Sequence, residues 1–330
     1  MIQICQFGAG RIGRMHAGNL VRHSGYRLRY VVDVHEASAR EVAGATGAEV
    51  ARAEQALADP AIDAVLIASS TDTHADLIEA AARAGKAILC EKPIDLSSAR
   101  VEACLAVAAK ENVPLMIGFN RRFDGNFRAL KQAIDDGRIG AVEMVAITSR
   151  DPGPPPPEYI KVSGGLYRDM MIHDFDMARW LLGEEPVSVF ATGSCLVDPE
   201  IGRLGDVDSA MVILKTGSGK LCQISCSRRA AYGYDQRIEV HGQNGMVRAD
   251  NVRQNTVELA DAGGFHGEPL PNFFIERYAR AYVDELDHFA DALAAGKAPS
   301  PSGEDGRRAL ALADAAVESA ASGRTVAPKL

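Results

Sequence analysis

The feature that most constrains the fold is the passage from an apolar run, Ile2–Phe7, straight into Gly8-Ala9-Gly10-Arg11-Ile12-Gly13. Glycines so spaced suit a strand that turns sharply into a helix. The first permits the tight turn, the second lets another molecule approach the backbone, and the third lets helix and sheet pack closely. The alternation continues downstream. Strand-length apolar runs at Tyr30–Val34, Ala64–Ala68, Ala87–Cys90 and Pro114–Phe119 alternate with helical patterns at Arg11–Arg22, Ala37–Ala45, His74–Ala84 and Ser97–Lys110. This order predicts a parallel sheet with helices on both faces.

Beyond about residue 120 the texture changes. After a helix over Asp124–Asp136 come longer β-patterned runs: Ala141–Arg150, Val187–Cys195, Ser209–Lys215, Lys220–Ser227 and Gln236–His241. Gly217 and Gly219 mark a hairpin between two of them. Strands without intervening helices predict an open, mainly antiparallel sheet. The fold class is therefore α/β: a Rossmann-type doubly wound domain over residues 1–120, then an α+β domain over 121–330. Asp151–Tyr159, with four consecutive prolines, reads as an extended loop. Helical patterns return at Asn272–Ala295 and Glu304–Ser322, free to pack back on the first domain.

With 330 residues, a net charge of −8 and 24% charged residues, the chain reads as an ordinary soluble protein. Its acidic balance argues against a nucleic-acid partner. No apolar run approaches the ~20 residues of a membrane span. The N-terminus lacks the basic region of a signal peptide, so the expected location is cytoplasmic. The six cysteines form no CxxC. Cys222 and Cys226 alternate with Ile224, which puts all three on one strand face, and neither a disulfide framework nor a metal site is expected.

Strand, glycine turn and helix are completed by Asp33, 20 residues beyond Gly13 at the end of the second strand. Together they form a dinucleotide fingerprint, in which the helix N-terminus receives the pyrophosphate. A carboxylate at Asp33 accepts from ribose hydroxyls and repels a 2′-phosphate. Val34, His35 and Glu36 supply no cation, so the expected cofactor is NAD, not NADP. Arg11 is positioned to reach the pyrophosphate.

Glu91-Lys92-Pro93 follows the fourth strand, on the edge where such sheets bind ligands. The same edge carries Ser69, Ser70 and Thr71. In RDMMIHDFDMARW (Arg168–Trp180), Asp169 and His173 lie four apart in a helical pattern and share one face. A carboxylate beside an imidazole suits general-base chemistry, but the pair also reads as a plain helix surface. A metal would need Asp174 and Asp176 as well, and these point elsewhere.

These residues resemble the glucose–fructose oxidoreductase/inositol dehydrogenase family over nearly the whole chain. The resemblance rests on Gly8–Gly13, Ser69–His74, Glu91-Lys92-Pro93, Gly118–Asp124 and the Asp169/His173 pair. Within the family, GGLYRDMMIHDFDMARWL, Ala231–Gln236 and Phe273–Tyr282 are similar to bacterial inositol 2-dehydrogenases. The resemblance implies Lys92, Asp169 and His173 in catalysis. For substrate it adds Asn120, Arg121, Asp151, Tyr234 and Tyr282. For NAD it implies Gly8, Gly10, Arg11, Ile12, Gly13, Asp33, Ser69, Ser70, Thr71, His74, Glu91 and Lys92. The implied reaction is NAD-dependent oxidation of an inositol, myo-inositol first, to 2-keto-myo-inositol, with His173 as general base. The implied assembly is a homotetramer or dimer through the second sheet. A scyllo- or chiro-inositol or pyranose dehydrogenase, and a catalytically silent NAD-binding regulator, are the alternatives. One departure is plain: the family commonly has a proline near Ser70–Thr71, and this chain has none.

Overall fold

The computed structural model describes all residues, Met1–Leu330. The chain forms two compact units, Met1–Phe123 with Arg280–Leu310 and Asp124–Ala279 with Ala311–Leu330.

The first unit contains a six-stranded parallel sheet. Its strands are β1 (Ile2–Phe7), β2 (Tyr26–Val32), β3 (Glu49–Val50), β4 (Ala64–Ile67), β5 (Ala87–Glu91) and β6 (Leu115–Gly118), in the order β3-β2-β1-β4-β5-β6. The chain winds outward from β1 to β3, then returns to β4 on the other side of β1. The β1/β4 boundary is thus a topological switch point, where such sheets open a crevice at their carboxyl ends. β4 is buried along its whole length, as a strand covered on both faces must be. Two elements, β3 and the helix Ala53–Ala58, are too short, at two and six residues, for periodicity to reveal them.

The second unit is built on β7 (Val142–Arg150), β8 (Pro186–Ser194), β9 (Ser209–Thr216), β10 (Leu221–Ser227), β11 (Asp235–Gly242) and β12 (Gly245–Ala249). Their order is β12-β11-β7-β10-β9-β8, antiparallel except for the parallel β7/β10 pair. Burial alternates along β9, β10 and β11. One face is core, with Val145, Ile147, Val212, Leu214, Cys222, Ile224 and Cys226 inside; the three β10 residues share that face as expected. The Gly217–Gly219 turn joins β9 to β10, with Gly219 at φ +99°.

Two local expectations are corrected. The proline-rich segment is not extended through Tyr159, because a helix begins at Pro157 and runs to Ser163. Proline suits that first position, where its missing N–H would be unpaired anyway. Nor is Arg168–Trp180 one helix. Gly165–Asp169 ends at a Met170–Met171 turn, and Ile172–Leu182 begins after it. The Met171 N–H reaches back five residues to Leu166 O at 3.0 Å, which widens the turn and interrupts the four-residue ladder.

No helix is long and apolar enough to cross a membrane.

Candidate active site

The carboxyl edge of the first sheet builds a cradle. Gly8 donates its N–H to Val32 O at 2.8 Å. Its φ is +99°, and a Cβ there would lie 2.3 Å from Ala68 O, so only glycine fits. A Cβ on Gly13 would lie 2.1 Å from Gly8 O, whereas one on Gly10 would meet nothing within 4 Å. Buried Gln6 fixes this turn, donating from Nε2 to Gly8 O and Gly13 O, both at 2.8 Å. The following helix, Arg11–Arg22, has no acidic residue in its first turn and no side-chain cap. Its terminal N–H groups and positive dipole end are therefore open to an anion. Bare glycine surface beside an uncapped helix start fits a dinucleotide pyrophosphate. Arg11 is exposed and Ile12 half-buried at that start.

Asp33 lies just beyond β2. Its Oδ2 accepts the Ala9 N–H at 2.6 Å and its Oδ1 accepts the His35 N–H at 2.7 Å. Each oxygen keeps a further lone pair for a ribose hydroxyl. Beyond β4, Ser69 Oγ and Thr73 Oγ1 are 2.7 Å apart, while Ser70 and Thr71 begin the helix Thr71–Arg83. His74 is buried, with Nδ1 2.8 Å from Pro93 O and Nε2 3.2 Å from Ser69 O. Burial pushes its pKa down. A neutral imidazole donates from one nitrogen only, and we assign the proton to Nδ1, on the shorter contact. His74 thereby ties the loop after β4 to the turn after β5.

That second turn is Glu91-Lys92-Pro93. Glu91 and Lys92 are half-buried and Pro93 is buried. Glu91 Oε1 lies 2.7 Å from Nε2 of buried His16, and the His16 ring meets Tyr282 edge-on at 5.5 Å. Asn120 and Arg121 are buried in a 3₁₀ turn after β6. The expected cofactor residues thus gather along one sheet edge.

In the second unit, Asp151 follows β7 and donates its N–H to Ser227 O at 3.0 Å. Tyr234 is buried edge-on against Tyr278, with ring centres 5.9 Å apart. Asp169 accepts the Tyr159 hydroxyl on Oδ1 at 2.8 Å, and Arg228 Nη2 lies 3.6 Å from its Oδ2. His173 is half-buried one residue into the helix Ile172–Leu182. No group of three or more His, Cys, Asp or Glu side chains gathers as metal ligands do.

Gln6, Tyr159 and Arg228 were absent from the sequence expectations. A signal existed for two of them. Gln6 interrupts an apolar run. Arg228 continues the inward parity of Cys222, Ile224 and Cys226, while Arg229 falls on the outward one.

Comparison with known proteins follows the same division. Residues 2–119 match the family described as "Oxidoreductase family, NAD-binding Rossmann fold", and residues 127–248 match the "GFO/IDH/MocA C-terminal domain". The chain is 57% identical over 319 residues to the inositol 2-dehydrogenase of Rhizobium meliloti, covering 97% of each chain. It is 49% identical to the myo-inositol 2-dehydrogenase of Thermotoga maritima, covering 98% of each. The crystal structure of scyllo-inositol dehydrogenase from Lactobacillus casei, with bound NAD(H) and scyllo-inositol, superposes with a TM-score of 0.93 at 30% identity, covering 99% of each chain.

Proposed function

The chain belongs to the GFO/IDH/MocA family of NAD-dependent oxidoreductases, and we propose that it oxidises an inositol, myo-inositol first, at one ring carbon to 2-keto-myo-inositol. The observation that carries this reading is 57% identity, sustained over 97% of the chain, to an inositol 2-dehydrogenase.

Oxidising a secondary alcohol breaks one O–H and one C–H bond. Bound NAD supplies the acceptor for the hydride. The chain's own residues deal with the proton and the oxygen. We assign the proton to the His173 imidazole as general base. Lys92 donates a hydrogen bond to the reacting oxygen and stabilises the negative charge that develops there. Asp169 orients His173 or holds a neighbouring hydroxyl. Asn120, Arg121, Asp151, Tyr234 and Tyr282 pair with the remaining hydroxyls of the ring. The glycine turn with Arg11, Ile12, Asp33, Ser69, Ser70, Thr71 and Glu91 holds the cofactor, and His74 holds the shape of its loop.

We also propose that copies of the chain associate through the open face of the second sheet, as a dimer or tetramer. Met144, Phe190, Met211, Ile213 and Leu221 are all more than 40% exposed on β7 to β10; Met144 pairs with Leu221 and Phe190 with Ile213 across neighbouring strands, and exposed apolar residues grouped on one sheet suit an interface. The six free cysteines suit a reducing compartment, and we place the enzyme in the cytoplasm.

The test is a polyol panel with NAD, read as NADH absorbance. An unpaired buried polar group costs ~1–3 kcal/mol, so simple secondary alcohols should fail where myo-inositol turns over. Scyllo- or chiro-inositol should show lesser activity. A pyranose outrunning every inositol would make the enzyme a sugar dehydrogenase. Tight NAD binding without turnover of any polyol would make it a regulator.

A further inference from the structure

Arg228 stands just past the end of β10 and is among the largest fully buried side chains of the protein. A buried guanidinium is costly unless countercharges and hydrogen bonds compensate it. Its neighbours supply the charge. Nη2 lies 3.6 Å from Asp169 Oδ2 and 3.8 Å from Asp206 Oδ2. Asp206 is itself anchored. It accepts the Leu166 N–H at 3.0 and 3.1 Å, at the start of the short helix that ends at Asp169. Gly165 makes that approach possible, because a Cβ there would lie 2.7 Å from Asp206 Oδ1. Arg228 is fixed as well: its N–H donates to Asp208 O at 2.8 Å.

The two sides of Asp169 are therefore unlike. Tyr159, 47% exposed, donates to Oδ1 from a surface helix. Arg228 faces Oδ2 from the core. Both distances run to the one nitrogen Nη2 and exceed a hydrogen bond, and neither Nη2 nor Nε has a hydrogen-bond partner, so the hold on Asp169 is electrostatic: a fixed, buried cation draws Oδ2 toward the core.

We propose that Arg228 is a positioning residue for the reaction: held between Asp206 and Asp169, it sets the orientation in which Asp169 meets His173 or a substrate hydroxyl. The residue acts through Asp169 and makes no contact with the reacting atoms. The inference rests on the dehydrogenase reading above and extends it.

The experiment is a double-mutant cycle on hydride transfer, read in single turnovers with enzyme in excess and an inositol that the wild type oxidises. The four proteins are wild type, Arg228→Gln, Asp169→Asn and the double variant. Positioning through Asp169 predicts that Arg228→Gln slows transfer at least about tenfold in the wild-type background. In the Asp169→Asn background it should slow transfer less than about threefold, because coupled residues are not additive. Equal factors in both backgrounds, or no slowing, overturn the proposal. If Arg228→Gln does not fold, Arg228→Lys replaces it throughout the cycle. Lysine keeps the charge, but its shorter side chain cannot set it where Nη2 stands between the two carboxylates, so it should slow transfer at least about threefold, again only where Asp169 is present. Wild-type activity under Arg228→Lys overturns the proposal too. Failure of the wild type itself on every inositol would refute the substrate reading instead, a result separate from any behaviour of the variants.

Discussion

Asp33 accepts the Ala9 N–H at 2.6 Å, so this carboxylate is fastened directly to the glycine turn. Its position is set before any cofactor arrives. In the role proposed for it, a carboxylate seated there would accept from ribose hydroxyls and repel a 2′-phosphate, and His35, whose N–H it also holds, is followed by acidic Glu36. The enzyme should therefore prefer NAD to NADP by at least tenfold in kcat/KM, or roughly 1.4 kcal/mol. Asp33→Ser should narrow that gap. Kinetics with both cofactors measure it, and equal use of NADP by the wild type would point to Arg11 as a phosphate ligand.

The glycines of the turn should separate folding from binding. Gly8→Ala places a Cβ 2.3 Å from Ala68 O at a φ of +99°, so the fold itself must give way. Gly10→Ala meets no protein atom within 4 Å and should leave the melting temperature nearly unchanged. Its methyl would instead occupy the bare surface offered to the pyrophosphate, so NAD should bind at least about tenfold more weakly. Calorimetric titration with NAD and thermal melts of both variants check the contrast. Unaltered NAD affinity in Gly10→Ala would move the phosphates elsewhere.

His173→Ala and Lys92→Ala should both lose kcat while NAD still binds. Removing a general base typically costs ~10²–10⁴-fold, and loss of a donor to the reacting oxygen is of similar size. A variant retaining more than about a third of wild-type activity would strip that residue of its role. Chelators should leave the wild-type rate untouched, and inhibition reversed by added zinc would instead argue for a metal.

How legible all this was in the sequence varied with the physical signal. Ile2–Phe7, the glycine turn and Asp33 were readable because strand periodicity, φ above zero and spacing each restrict the residue type. β3, a two-residue edge pairing of Tyr30 and Val31 with Glu49 and Val50, has no periodicity to read. The Met170–Met171 turn was invisible because both methionines are good helix formers and are buried as helix residues would be. Only the backbone bond from Met171 to Leu166 reveals the break. Arg228 was overlooked for a different reason. Arginine at an inward parity position looks like the end of a strand until its countercharges, Asp169 and Asp206, arrive from distant parts of the chain.

Glu285 gives the clearest stability prediction. Its side chain is fully buried, and neither carboxyl oxygen has a hydrogen-bond partner. Burial first, then the nearby Glu91 carboxylate, raises its pKa well above the ordinary glutamate range. His16 Nε2 lies 2.7 Å from Glu91 Oε1. Tyr26, on the same side of the core, is itself pushed up by burial and by acidic neighbours that include Glu285. For an acid whose folded pKa is raised, stability is fully present below the unfolded value. It is lost as pH rises toward the folded value, because the unfolded chain releases the proton first. The loss approaches ~1.4 kcal/mol per pH unit for one group. Glu285→Gln carries no proton to lose and keeps nearly the same shape. Urea unfolding from pH 5 to pH 8.5 should show the two proteins closest at pH 5 and the variant gaining on wild type with each step upward. Parallel curves would mean that Glu285 has an ordinary pKa in the folded protein, and a variant that loses ground with rising pH would mean that its charged form is specifically stabilised.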